Sequence, residues 1–159
     1  DRTVFESGGK HAVLSLQWAG GDLFVTRADR IQALDGSGHP TWTWAAPPGT
    51  SIRSAAASPR DGRVAVVLRA GVTSRLVLLS RGRDPKVFFS GPGRFAAPRW
   101  SPDAHWLLLP WPSADQWLFL NPGTGAARPH AVANVAAQFS PGDATGARFP
   151  SVTGWCCSR

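Results

Sequence analysis

Two adjacent cysteines, Cys156 and Cys157, four scattered histidines and a recurring aspartate are the side chains that could do chemistry in this 159-residue chain. The cysteines match no zinc-ligand spacing and no Cys-x-x-Cys redox pattern, and His11, His39, His105 and His130 are spread along the sequence, so no metal site follows. Free thiols, a vicinal disulfide and bridges to another chain stay open for the pair; the plainest reading is small residues ending a strand. The aspartates are more regular. Asp22, Asp61, Asp103 and Asp143 each stand just after a Gly-Gly or Ser-Pro pair. A repeated calcium site would need about six or more oxygens converging on one point. An Asp in such a turn instead accepts hydrogen bonds from its own backbone, with Pro presetting φ.

Other catalytic signatures are missing. Glu6 is the single glutamate, so hydrolysis by paired carboxylates would rest on Asp alone. Gly-x-Ser-x-Gly, Gly-x-Gly-x-x-Gly and the phosphate-loop lysine motif do not occur. His105, beside Trp106 in the turn after Asp103, reads as a solvated turn residue rather than a general base. The expectation is a non-enzymatic chain with no catalytic residue, no metal and no cofactor.

The elements that would carry these residues are short strands. The chain has 17 Gly and 14 Pro, which favour tight turns, and no apolar run with helical period goes far without one of them. Ser58-Pro59, Ser101-Pro102 and Ser140-Pro141 recur 43 and 39 residues apart, each after a short apolar or aromatic segment. One period earlier, Trp18 and Gly20-Gly21-Asp22 trace the same outline. After each turn come an apolar strand (LFVT, VAVVL, WLLLP), a second one (RIQALD, RLVLLS, QWLFLN), a further turn and a closing strand (TWTWA, KVFFS, HAVAN). Each period thus reads as four antiparallel strands, the layout of a propeller blade. The expected fold is all-β: a single β-propeller or partial propeller over residues 1–159, with about four blades and repeats at 11–50, 51–93, 94–134 and 135–159. Residues 3–7 (TVFES) resemble the outer strand at 86–90 and are expected to serve as the outer strand of a preceding or closing blade.

Trp100-Ser101-Pro102-Asp103, followed by HWLLL and QWLFLN, resembles the TolB-like, WD-repeat-like β-propeller repeat; Ser58-Pro59-Arg60-Asp61-Gly62 with RVAVVL and RLVLLS repeats the match. The chain departs from that pattern in having no Tyr, Ala104 where the repeat has Gly, and a degenerate first repeat. The resemblance implies an interaction module that binds protein or peptide partners in an extracytoplasmic setting (periplasm, cell envelope or secreted). Two alternatives stand beside it: a propeller that binds carbohydrate or a small ligand, and an accessory propeller of a larger hydrolase.

The eight tryptophans have a structural reading. Trp18, Trp100 and Phe139 take equivalent repeat positions at the ends of inner strands, where large rings pack between blades. Trp111, between Pro110 and Pro112, is the one expected either to stack a ligand or to pack on its hairpin. Trp111, Arg99, Asp115 and Arg83 are the candidate contacts for a ligand or partner. The net charge is +7, but 15 of the 17 basic residues are Arg and are scattered, so nucleic-acid binding is not expected. No apolar run approaches the roughly 20 residues of a membrane helix. Open blade faces favour pairing, and a homodimer completing a larger ring is expected.

Overall fold

The computed structural model describes residues 12–124, 128–139 and 148–155. The TVFES segment, Ser140-Pro141, Asp143 and the Cys156-Cys157 pair lie outside them. Three four-stranded antiparallel sheets follow one another along the chain, each with its strands in sequence order. The first holds β1 (Val13–Ala19), β2 (Asp22–Arg27), β3 (Arg30–Leu34) and β4 (Pro40–Ala45). The second holds β5 (Ser51–Ala57), β6 (Val64–Ala70), β7 (Thr73–Ser80) and β8 (Arg83–Pro92), and the third β9 (Arg99–Trp100), β10 (Leu107–Trp111), β11 (Gln116–Leu120) and β12 (His130–Ala133). The innermost strands β1, β5 and β9 contact one another in turn, so the sheets fan out as the blades of a partial propeller.

Alternation within strands makes the blades stack. Val64, Val66 and Leu68 of β6 with Val77 and Leu79 of β7 face blade one, meeting Phe24, Ile31 and Ala33. The intervening Ala65, Val67, Leu76 and Leu78 face blade three, meeting Trp100, Leu107, Leu109, Leu118 and Leu120. Period-two side chains on a sheet covered on both sides give near-continuous apolar strands, which is why VAVVL and LVLL carry no polar residue. Blade two has no free face.

Hydrogen bonds between inner strands fix the stacking. The Gln17 side chain donates to the Ala55 carbonyl and accepts from the Ala57 amide, both at 2.8 Å. The indole of Trp100 donates to the Ala56 carbonyl at 2.9 Å. Tight turns join the strands: Gly20 and Gly21, at φ 60° and 86°, close the two-residue loop between paired Ala19 and Asp22.

The residues after β12 depart from the sequence expectation. Val135–Gln138, read as leading into a fourth inner strand, forms one turn of helix, α1. Phe139, read as the equivalent of Trp100, is exposed and packs on Trp117 with its ring tilted, centroids 5.1 Å apart. The role of Trp100 is taken by Trp155, whose indole donates to the Arg99 carbonyl. Ala-Ala-Gln has good helix propensity. The Asp115 carboxylate also accepts from the Ala136 amide at 2.7 Å, satisfying a donor that a short helix leaves free.

Candidate functional site

The turn at Ser101–Trp106 is a closed network. Ser101 donates to Asp103, whose carboxylate accepts from the His105 amide at 3.0 Å, while the Ser101 hydroxyl accepts from the Trp106 amide at 2.9 Å. Ala104 holds φ 60°, a left-handed conformation that Gly62 takes in the turn of blade two. The Ser101 hydroxyl, then the amide and ring of His105, lower the Asp103 carboxyl to about 2. At Asp61 partial burial pushes the pKa up, but the Arg63 guanidinium and the Ser58 hydroxyl outweigh it and the net direction is down. Asp22 pairs with Arg81 at 2.7 Å. Each of these carboxylates serves its own turn or a neighbouring cation. Among the described residues no three His, Cys, Asp or Glu side chains converge.

Arginines bind the turns of neighbouring blades together. Arg60 donates to the Pro102 carbonyl at 3.1 Å and Arg63 to the Ala104 carbonyl at 3.2 Å. The Arg63 guanidinium lies 4.9 Å from the Trp100 ring centre, a cation–π distance. Part of the positive charge that the sequence leaves unexplained is therefore structural.

The four candidate contact residues are not brought together. Trp111 does not present an open ring: its indole donates to the Pro92 carbonyl at 2.9 Å and meets Phe89 and Phe95 edge-on at 5.8 and 5.4 Å. It packs across to blade two rather than on its own hairpin, and Gly91 is the reason it fits, since a Cβ there would stand 2.8 Å from the ring. Arg99 donates to the Val152 carbonyl at 3.2 Å, holding the 148–155 segment against blade three. Asp115, in the left-handed region at φ 52°, supports α1 as described. Arg83 lies in blade two, on a cleft of about 610 Å³ between blades one and two, together with Asp22, Arg60, Asp61, Arg63 and Arg81. Its ion pairs, Arg81–Asp22 and Arg63–Asp61, neutralise much of its charge internally.

Three further surfaces stand on the described residues, and the sequence located neither of the first two. A second cleft, of about 470 Å³, is lined by Arg53, Arg69 and Arg94 with Ser54 and Ser74, and no carboxylate lines it. A shallow aromatic slot of about 290 Å³ is lined by Trp106, Phe119, His130 and Trp155 on the outer face of blade three. The third is the free face of blade one, where Leu14, Leu16 and Trp18 stand exposed. Trp18 pairs with Leu23 as Trp100 pairs with Leu107, so the two tryptophans hold the same place in their blades. Trp100 is 8% exposed and Trp18 is 66% exposed. The difference is the presence of a preceding blade in one case and, among the described residues, none in the other.

No family model matches the chain, and no curated protein does. Solved structures resemble it in fold. The β-propeller domain of Cps50 (Swd1) from Myceliophteria thermophila superposes with a TM-score of 0.54 at 10% identity, over 79% of this chain and 44% of that one. A luciferin-regenerating enzyme superposes with a TM-score of 0.51 at 18% identity, over 74% of this chain and 45% of that one. The chain is a partial β-propeller, and it spans under half the length of these two propellers.

Proposed function

We propose that this chain is a non-catalytic interaction module of the TolB-like propeller kind that binds protein or peptide partners in an extracytoplasmic setting. The observation that carries the reading is the pair Trp18 and Trp100: the same repeat position is buried between blades once and laid open once. An exposed Leu14–Leu16–Trp18 stripe on a strand is a surface built to be covered. The blade-three seam shows what covers such a surface, namely the apolar face and inner-strand carbonyls of another blade.

A second copy of the chain is the partner we assign first, since its blades offer that chemistry and would extend the ring. Light scattering after size exclusion tests this. A mass near twice 16.9 kDa, returning to the monomer in Trp18→Arg, supports the homodimer. A monomer at every concentration, with Trp18→Arg unchanged in binding to any captured protein, refutes use of this face.

A further inference from the structure

We propose that the cleft lined by Arg53, Arg69 and Arg94 binds carboxylates, taking an acidic side-chain segment of a protein partner. The inference rests on the interaction reading above and assigns the chemistry of the partner.

Four observations lead to it. First, three guanidinium groups share one cleft whose lining has no Asp or Glu, whereas the cleft between blades one and two holds its own counter-ions. Among the described residues, neither Arg53 nor Arg94 has a carboxylate within ion-pair distance. Second, Arg53 is the extra residue of a β-bulge: Ile52 pairs with Leu68 and Ser54 with Val67, leaving Arg53 out of the ladder and its side chain exposed at the cleft. A bulge re-aims a side chain, and β1 carries the same irregularity with Leu14 in that place. The repeat therefore does not require a cation at the bulge; blade two alone has one.

Third, Arg69 is oriented in advance. Its Nε donates to the Gly71 carbonyl at 2.8 Å and an Nη to the Gly93 carbonyl at 2.7 Å, so its guanidinium is fixed at the cleft wall. A fixed guanidinium loses little freedom when it accepts a carboxylate, whose two oxygens match its fork. Fourth, Ser54 and Ser74 stand beside the three arginines in the cleft lining, so the approach to the guanidinium groups is small and polar. A chain of net charge +7 gathers acidic partners by long-range attraction, and this cleft concentrates unpaired charge between blade two and the linker that follows it.

The experiment titrates a fluorescein-labelled, C-terminally amidated glutamate-rich peptide into the full chain, with a glutamine-rich peptide of equal length as control. The amide end removes the terminal carboxylate, so binding reports side chains. We expect the acidic peptide to bind and the control to fail. The double change Arg53→Gln with Arg94→Gln should weaken binding about tenfold or more, while Arg83→Gln in the other cleft changes it less than twofold. Both variants must keep the wild-type unfolding midpoint, which is why Arg69, with its structural bonds, is left intact. Equal loss in Arg83→Gln means unspecific attraction and overturns the site. Tighter binding of a single-stranded oligonucleotide, lost in the same double variant, overturns the acidic-protein assignment in favour of phosphate. If the peptide does not bind but the Trp18-dependent dimer persists, the cleft fails and the interaction module stands; if both are absent, both fail.

Discussion

The indole nitrogen of Trp155 donates to the main-chain carbonyl of Arg99 at 3.0 Å, one blade on from Trp100 and its bond to Ala56. Arg99 and Ala56 occupy equivalent places, each just before the residue that pairs with the first position of the next strand. A tryptophan reaching back to the preceding inner strand is thus the seal between units, and at blade three a segment without a strand supplies it. Trp100→Phe should retain most of the packing but lose the bond, costing about 1–2 kcal/mol, while Trp100→Ala should cost about 3–5 kcal/mol. Urea denaturation of the two variants measures both.

The two faces of the chain should respond oppositely to truncation. Leu76 is fully buried between blades two and three, and Leu76→Ala should lower unfolding free energy by about 2–5 kcal/mol. Leu16 lies on the free face of blade one, and Leu16→Ala in the monomer should change it by less than about 0.5 kcal/mol. A large loss at Leu16 under dilute conditions would mean that the face is already covered.

Acid sensitivity follows from Asp103. Its folded pKa of about 2 lies below the ordinary 3.8, so it stabilises the fold above the ordinary value. That contribution is lost as the pH falls from about 4 through about 2. Asp103→Asn removes the titration, so unfolding midpoints followed down this range should decline less steeply in the variant than in the parent chain.

Two glycines separate backbone strain from crowding. Gly71 has φ +55° and open space around its missing Cβ, whereas Gly93 has φ +74° and a Cβ there would overlap Ser113. Gly71→Ala should cost about 1–2 kcal/mol from the left-handed backbone alone. Gly93→Ala should cost at least about 1 kcal/mol more, since Ser113 must also move and its hydroxyl accepts from the Arg94 amide. Equal losses would place the whole effect in the backbone.

The blades were legible because their signals are local. Ser-Pro-x-Asp turns and period-two apolar runs are written within a dozen residues, and the turn network around Ser101, Asp103 and His105 forms within six. The seals between blades were half legible. Trp100 stood out by spacing, but the same spacing pointed to Phe139, and only the helix at Val135–Gln138 moves the role to Trp155. Trp111 between two prolines carried no sign of its pocket, because Gly91 comes from the preceding blade and Phe95 from the linker after it. The arginine cleft was invisible because its residues are far apart in sequence: Arg53 and Arg69 meet through the pairing of β5 with β6, and Arg94 comes from the linker after β8.

Burial of blade two on both sides has a consequence for how the molecule opens. In a stack where each unit touches only its neighbours, the cost of releasing a unit is set by how many seams it must break. The outer sheets each give up one seam among the described residues, while the middle sheet must give up two. Local opening should therefore begin at the ends and move inward, so that amide exchange is slowest at Val66, Val67, Leu76 and Val77 and fastest along β1 and β12. The centre of the arc would then act as the template on which the flanking sheets reassemble after each excursion.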